Sequence, residues 1–280
     1  MTSSLRIFQS FHKPYPRADH CDWIEPIRVG RFAGKHKEAA IEEAAVDEPW
    51  LDWLSDATGH SITALNAHYC ELTAQYWVWK NLRPEPGAPQ ALQRPDIVGF
   101  YHYRRYLNFM FDNTWQGEFA FAVPIEGSML PYLSSEAQRE RLLQLMRLSD
   151  VIIPARFVSE QTVEAKYFHH HPAHTWLAFE RAIKRLQPAL AAYLPLFSLS
   201  NRQTVYNMFV MPWAIFDRYC ADLFLVIDDC FTQCDTGYGS YNDRYPGFLA
   251  ERFLGLWLYA HGLRVLEVPM LMLTEGEDAL

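Results

Sequence analysis

The sequence predicts an α/β fold with a mostly parallel central sheet flanked by helices. Short apolar segments of strand length alternate with longer segments whose apolar residues recur at helical spacing. Half of the 280 residues are apolar, which is enough to bury a sizeable core. The alternation favours a parallel sheet, because parallel strands need a crossover connection that is usually helical. We expect one domain over 1–280, with a ligand-binding half of about 1–155 and a second wall from about 156–280.

The N-terminal elements follow from these patterns in order. Strands are predicted at 5–11, 26–30, 96–101 and 150–154. A helix over 61–82 is predicted by an apolar face at spacings of three and four, with Ser61 as its N-cap. The capping box Ser135–Gln138 opens a helix to about 148. Loops are predicted at 12–16, where two prolines lie, at the Pro-rich 84–95 and at the aromatic 107–133. Residues 31–60 are predicted to form a loop or lid with a little helix.

The C-terminal half continues the alternation. The stretch 164–194 is predicted to be helical, 206–211 a strand and 213–234 a helix. A glycine and tyrosine loop at 237–243 precedes a helix at 246–261 that is apolar on nearly all sides and therefore buried. A strand at 263–269 closes the pattern.

Composition narrows the class of protein. The net charge of −8 argues against non-specific nucleic-acid binding. Five cysteines without a C-x-x-C pair indicate reduced thiols in a cytoplasmic protein. Neither a signal peptide nor an apolar run of the roughly 18–20 residues of a membrane span is present in the sequence, so we expect a soluble protein.

The run 100–106, Phe-Tyr-His-Tyr-Arg-Arg-Tyr, is the strongest candidate site. Ligands of α/β proteins bind outside the carboxyl ends of strands, and paired arginines there suit phosphate or carboxylate oxygens. In an extended chain His102 and Arg104 would share one face, and Tyr103 and Arg105 the other. We interpret one or both arginines as ligands of a diphosphate, although an ion pair and core tyrosines would explain any single residue equally well.

Further candidates lie on neighbouring elements. His12 and Lys13 follow the first strand, and an ordinary polar turn is an equally good interpretation of them. Asn66 and Glu71 lie off the apolar stripe of the 61–82 helix. A buried Glu71 would need a partner such as Arg104 or Arg105, and a solvated carboxylate is the commoner case.

Acidic residues and histidines elsewhere in the sequence are candidates for a general base or for metal ligands. Glu251 and Arg252 lie inside the predicted buried helix at 246–261. Desolvation there would raise the pKa of Glu251 and make it suitable as a general base. A structural salt bridge between the two residues is an equally good interpretation. The weaker carboxylate candidates are Asp228, Asp229 and Asp243. A zinc site on the histidines at 169–171 and 174 is disfavoured, because no acid stands at ligand spacing. The pattern favours contact of one of these histidines with a ligand.

Several segments in order resemble a bacterial domain family of unknown function found in capsule, exopolysaccharide and O-antigen clusters, which includes the galactofuranosyltransferase domain of a bifunctional O-antigen polymerase. The resemblance rests on Asn66 with 69–81, and on 97–106. It continues through 11–13, 26–30, 150–154, Tyr167 with His171, 207–211 and 247–252. The Pro-rich 84–95 and the stretch 172–175 depart from the family's pattern, which puts acceptor choice in doubt.

The resemblance implies a GT-A-like glycosyltransferase fold and transfer of a hexose from a nucleotide sugar, a UDP-sugar such as UDP-galactofuranose, to a surface polysaccharide or lipid-linked glycan. The chain lacks the D-x-D that holds a metal in ordinary GT-A enzymes, so arginine charge is expected to replace the metal, with no tightly bound cofactor. His102 and Glu251 are then the expected catalytic residues, with Glu251 as the base for the acceptor if the enzyme inverts. The donor side comprises His12, Lys13, Asn66, Glu71, Tyr103, Arg104 and Arg105, and the acceptor side comprises Tyr167, His171, Asn207 and Arg252.

Three alternatives stay open at the level of sequence: a sugar-nucleotide-binding protein without turnover, a metal hydrolase built on the histidines, and a structural partner in polysaccharide assembly. Peripheral association with the inner membrane or with other assembly enzymes is compatible with the leading interpretation. No partner that is a nucleic acid is expected.

Overall fold

The structure, a computed structural model, describes residues 3–17, 21–34, 49–84, 89–112, 114–124, 129–239 and 241–274, without the side chains of 122–124. The described strands are β1 (Leu5–Phe11), β2 (Ile24–Arg28), β3 (Leu54–Ser55), β4 (Ile97–His102), β5 (Arg105–Leu107), β6 (Ala120–Pro124), β7 (Val151–Pro154), β8 (Phe157–Val158), β9 (Arg202–Gln203), β10 (Phe209–Pro212), β11 (Val265–Val268) and β12 (Met270–Thr274).

The central sheet has the strand order β11-β7-β10-β4-β1-β2-β3, and every neighbouring pair on this path that does not involve β10 is parallel. β12 joins the same sheet through β5 and β6. β10 and β11 come from the C-terminal half of the chain, and β10 lies between β7 and β4, so both halves share one sheet. The predicted α/β fold with a mostly parallel sheet is therefore confirmed.

Helices cover both faces of the sheet. They are α1 (Asn66–Tyr69), α2 (Leu72–Asn81), α3 (Met129–Leu133), α4 (Glu136–Met146), α5 (Val163–His170), α6 (Ala173–Leu186), α7 (Pro188–Ala191), α8 (Leu194–Leu199), α9 (Trp213–Gln233) and α10 (Tyr245–Ala260).

Side-chain alternation along the strands divides the core into two layers. Phe8 and Phe100 face a large apolar cluster that contains the buried sides of α2, α6, α9 and α10. Ile7 and Tyr101 face the opposite cluster, which includes Leu142 of α4. Strands buried on both faces explain the nearly continuous apolar runs of β1 and β4.

Several predicted boundaries were wrong for local reasons. The 61–82 helix is broken, because Cys70 has φ +52° between α1 and α2. The 206–211 strand begins at Phe209, because Tyr206 and Asn207 have φ +72° and +45°. The 164–194 helix is divided into α5, α6, α7 and the start of α8, the 107–133 loop contains β6 and α3, and the 263–269 strand ends at Val268 with β12 following.

Other elements are close to expectation. β2 lies two residues earlier than predicted, and the long helices α9 and α10 match their predicted spans within one residue. Residues 35–48 of the predicted lid and residues 85–88 of the Pro-rich loop lie outside the described part of the chain.

Candidate active site

A cavity of about 450 Å³ lies at the carboxyl ends of β1 and β4. The parallel register sets Ser10 beside His102, so both strands deliver side chains to the same edge of the sheet. The N-terminal end of α10 and the break between α1 and α2 complete the wall. The residues that line the cavity are Ser10, His12, Val29, Asn66, Ala67, Cys70, Glu71, His102, Tyr103, Arg105 and Arg244.

A tight hairpin positions Arg105. β4 ends at His102, Tyr103 and Arg104 form a turn, and Arg105 pairs back against His102. The Nη1 atom of Arg105 lies 3.4 Å from Nδ1 of His102, and its guanidinium carbon lies 4.2 Å from the centroid of the Tyr206 ring. The predicted alternation of side chains over 102–106 is therefore wrong, because the chain reverses instead of staying extended.

The reversal separates the two arginines. The described part of the cavity wall includes Arg105 and leaves out Arg104, whose guanidinium carbon lies 5.6 Å from the Tyr103 ring centroid. The backbone carbonyl of Arg104 accepts a hydrogen bond from the Leu273 N–H at 2.8 Å, which joins the turn to the end of β12. The two adjacent residues of the motif are thus not equivalent.

Arg244 is a cavity cation that the sequence analysis missed. It lies immediately before α10, and its Nε donates to Sγ of Cys70 at 3.0 Å. The only signal in the sequence is its place ahead of an apolar helix, which does not predict that it meets the end of β4. Arg105 and Arg244 together give the cavity two guanidinium groups, an arrangement suited to an anionic ligand.

Asn66 shapes another part of the cavity wall. Its Nδ2 donates to the Cys70 carbonyl at 2.8 Å and to Thr73 Oγ1 at 3.0 Å, which stabilises the break that brings Glu71 to the cavity. Gly30 has φ +60°, and a Cβ added there would lie 2.1 Å from Asn66 Oδ1. The site thus depends on a glycine for both its conformation and its lack of a side chain.

Glu71 is partly buried, and Oε1 accepts a hydrogen bond from Nδ2 of Asn207 at 2.8 Å. The same oxygen lies 3.8 Å from Nε2 of His102. The expectation that an arginine of the hairpin pairs with Glu71 was wrong, because Arg105 turns toward His102 and Tyr206 instead.

Glu251 lies behind this wall, with its side chain 13% exposed. Oε1 accepts a hydrogen bond from the backbone N–H of Tyr206 at 2.9 Å, and Oε2 accepts one from Nη1 of Arg252 at 2.6 Å. Burial raises the pKa of Glu251 to about 7, against the opposing charge of Arg252 and with a smaller contribution from the charge of Glu71. The carboxyl group can therefore exchange a proton near neutral pH.

His102 and Tyr206 connect the arginine to the carboxylate. Burial lowers the pKa of His102, although the charge of Glu71 acts in the opposite direction, and the lowered pKa favours the neutral ring. Its Nε2 faces the Tyr206 carbonyl and donates to it, which leaves Nδ1 as an acceptor toward Arg105. Tyr206 holds this place in the left-handed region at φ +72°, a strain typical of functional sites.

Of the two candidate residues that follow β1, only His12 lies in the described wall of the cavity. His12 lines the cavity, and its ring stands edge-on to the Tyr103 ring at 4.7 Å. Burial, followed by the charge of Lys13, lowers the pKa of His12. Lys13 lies beyond the described wall, with its ammonium 5.7 Å from the centroid of the Tyr103 ring.

The four predicted acceptor-side residues divide into two pairs. Asn207 and Arg252 bind the carboxylates of Glu71 and Glu251 directly. Tyr167 and His171 are not among the described residues that line the cavity. The guanidinium carbon of Arg252 is 5.6 Å from the Tyr167 ring centroid. His171 stacks on the Phe248 ring at 4.3 Å. Burial, followed by the charge of Arg252, lowers the pKa of His171 to about 4.

The remaining polar candidates lie elsewhere. His169 and His170 are exposed, and His174 Nε2 contacts the Tyr238 hydroxyl at 2.7 Å. Asp228 accepts a hydrogen bond from the Tyr69 hydroxyl, and Asp229 forms a salt bridge with Arg185. Asp243 accepts hydrogen bonds from the backbone N–H groups of Gly237 and Tyr238. Among the described residues, no group of three His, Cys, Asp or Glu side chains has the geometry of a metal site.

The chain is similar to known proteins in sequence and in fold. The family described as Domain of unknown function (DUF4422) matches residues 6–262. The fold is similar to the apo structure of WbbM, a bifunctional glycosyltransferase, with a TM-score of 0.79 and 24% sequence identity. The match covers 97% of this chain and 45% of the WbbM chain, so this chain spans less than half of that protein. No curated protein sequence matches the chain.

None of the described helices is both long enough and apolar enough to cross a lipid bilayer.

Proposed function

The chain belongs to the DUF4422 family, and from this premise we propose that it is a glycosyltransferase that moves a hexose from a UDP-sugar to a glycan acceptor. The observation that carries the proposal is the cavity at the strand ends, which is lined by Arg105 and Arg244 together with Glu71 and His102. Tyr206 joins His102 to the carboxylate of Glu251. The similarity in fold to WbbM supports the same class of reaction.

The donor diphosphate is assigned to the arginines. Guanidinium groups bind phosphate oxygens with two hydrogen bonds and keep their charge at all working pH values. Arg105 and Arg244 would stabilise the negative charge that develops on the UDP leaving group, the task that a divalent cation performs where carboxylates hold one. Asn66 and Glu71 would bind hydroxyl groups of the ribose or of the transferred sugar.

Glu251 is assigned the role of base. As a carboxylate it would take the proton of the acceptor hydroxyl while the acceptor oxygen forms a bond to the anomeric carbon and the bond from that carbon to the UDP oxygen breaks. This arrangement corresponds to a single displacement with inversion. A raised pKa suits the role, because a base near neutrality both accepts a proton and is substantially deprotonated at working pH.

The finer assignments rest on the sequence resemblance. They are UDP-galactofuranose as donor, a bacterial surface polysaccharide or lipid-linked glycan as acceptor, and action in the cytoplasm or at the inner face of the membrane. A pathway role without turnover is the alternative, in which the same cavity binds the nucleotide sugar and no acceptor reacts.

Calorimetric titration of UDP into the purified protein, with manganese and again with EDTA, tests the donor assignment. Binding of similar strength in both supports arginines in place of a metal. Binding only with manganese contradicts that assignment while retaining a nucleotide site, and failure to bind in both overturns the UDP-sugar proposal. Turnover of a panel of UDP-sugars with bacterial glycan acceptors then separates the transferase from a protein that only binds.

A further inference from the structure

A second concave surface lies beside the C-terminal end of α10. It is a groove of about 680 Å³ whose apolar walls include Leu196, Phe197 and Leu258. Arg156 and Arg202 also line it, and the residues described in its wall include no acid. The groove is separate from the candidate active site, because the two share no lining residue among those described.

Apolar side chains protrude around this groove. Leu196 and Leu199 of α8 are 62% and 70% exposed, and Val158, Tyr193 and Tyr259 are also exposed. Val158 pairs with Arg202 across β8 and β9, and the rings of Tyr193 and Tyr259 meet edge to face at 5.8 Å. We call these five exposed residues with the two arginines the α8 face. Exposed apolar side chains gathered beside a groove are typical of an interaction site.

The charge of the α8 face is positive although the chain as a whole carries −8. Arg156 and Arg202 share the single carboxylate of Glu267, with Nη1 of Arg156 at 2.5 Å and Nη2 of Arg202 at 3.0 Å from Oε1. One positive charge therefore remains beside the leucines. Arg202 is half-exposed, so its guanidinium can contact a phosphate outside the protein while Arg156 stays with Glu267.

We propose that the α8 face docks the protein on an anionic phospholipid bilayer. Protruding leucines would enter the boundary between headgroups and acyl chains, tyrosines suit the same boundary, and the arginines would contact lipid phosphates. The orientation would place the bilayer beside α10, whose Glu251 lies one helical turn from Gly255 in the groove wall. The proposal concerns a surface outside the cavity and does not depend on the transferase activity.

Co-sedimentation of the full chain with vesicles tests the proposal. The probes are vesicles of phosphatidylcholine containing phosphatidylglycerol and vesicles of phosphatidylcholine alone. The wild type is expected to bind the anionic vesicles, and the Leu196→Ser/Leu199→Ser variant at least about tenfold more weakly, because two apolar side chains no longer enter the bilayer. Arg202→Gln is expected to bind about fivefold more weakly, which is the effect of one basic residue near an anionic surface.

The matched control is Leu177→Ser/Leu225→Ser, which removes two leucines that are 46% and 48% exposed on α6 and α9. It should bind like the wild type. The proposal is overturned if the wild type does not bind anionic vesicles, if the α8 variant binds as well as the wild type, or if the control loses as much. The wild type could instead form dimers that the Leu196→Ser/Leu199→Ser substitutions dissociate, and fail to bind vesicles. That result would overturn the proposal and show that the α8 face binds a second copy of the chain. If the α8 variant does not fold, unchanged binding by Arg202→Gln overturns it.

Discussion

The Nη1 atom of Arg105 lies 3.4 Å from Nδ1 of His102, across the turn that ends β4. Because Nε2 of the imidazole donates to the Tyr206 carbonyl, Nδ1 can accept from the guanidinium. The stacking of Arg105 on the Tyr206 ring restrains it from the other side. The guanidinium is thus held in place before any ligand arrives.

Arg105→Ala should weaken UDP binding by roughly 10- to 100-fold, the effect of losing a hydrogen bond to a charged group. Arg244→Ala should have a similar effect, because both arginines line the cavity. The measurement is calorimetric titration with UDP in EDTA. Arg104→Ala is the control, since it removes the same charge one residue away from the described wall, and should weaken binding by less. UDP affinity of the wild-type strength in Arg105→Ala would show that the diphosphate lies elsewhere.

His102→Phe should weaken UDP binding about tenfold by releasing Arg105, without His102 contacting the diphosphate itself. The readout is a double-mutant cycle with Arg105→Ala, because residues that act through each other have non-additive effects. The loss caused by His102→Phe should largely vanish when Arg105 is already alanine. Additive losses would refute the positioning role and assign His102 a contact of its own.

Glu251→Gln should lower kcat by roughly 10²- to 10⁴-fold, the usual contribution of a general base, while UDP affinity changes little. In the wild type, kcat should rise with pH through about 7, since only the deprotonated carboxylate accepts the acceptor proton. Initial rates from pH 5.5 to 8.5 measure both effects. A variant that retains the wild-type rate excludes Glu251 as the base.

Glu251 should also make the free energy of unfolding depend on pH. Burial raises its pKa in the folded state from 4.5 to about 7, so its contribution is fully present below pH 4.5 and is lost as pH rises through 7. The loss is about 3 kcal/mol by linkage. Urea unfolding of the wild type and Glu251→Gln at pH 5 and pH 8 should show the wild type losing stability relative to the variant at the higher pH. An equal difference at both pH values contradicts the raised pKa.

Gly30→Ala should destabilise the protein and weaken UDP binding, because its Cβ would overlap the Asn66 side chain that holds the cavity wall. Gly262→Ala is the matched control, since Gly262 has φ +59° with open space around its Cβ position. The control should lose only the roughly 1 kcal/mol of a strained backbone. Thermal unfolding and UDP titration of both variants distinguish a clash from strain, and equal losses would rule out the clash.

The sequence predicted secondary structure best in segments whose apolar residues repeat at the period of a helix or a strand. The spans of α9 and α10 and the strand that ends at His102 were predicted closely, because buried helices and strands must repeat apolar residues at their own periods. It was least informative at Cys70 and Tyr206, where positive φ angles break regular structure at residues other than glycine. Propensity does not signal such positions, since surrounding packing imposes them.

By itself the sequence determined the α/β class, the polar cluster at the end of β4 and the family, since these depend on composition, period and local motifs. Only the tertiary structure decided that the chain reverses after His102, so that Arg105 and not Arg104 lines the cavity. It also decided that Arg244 lines the same cavity and that Tyr206 joins His102 to Glu251. The physical reason is that these contacts join residues far apart in the chain, and the packing of helices on the sheet, with β10 between β4 and β7, determines which distant loops meet.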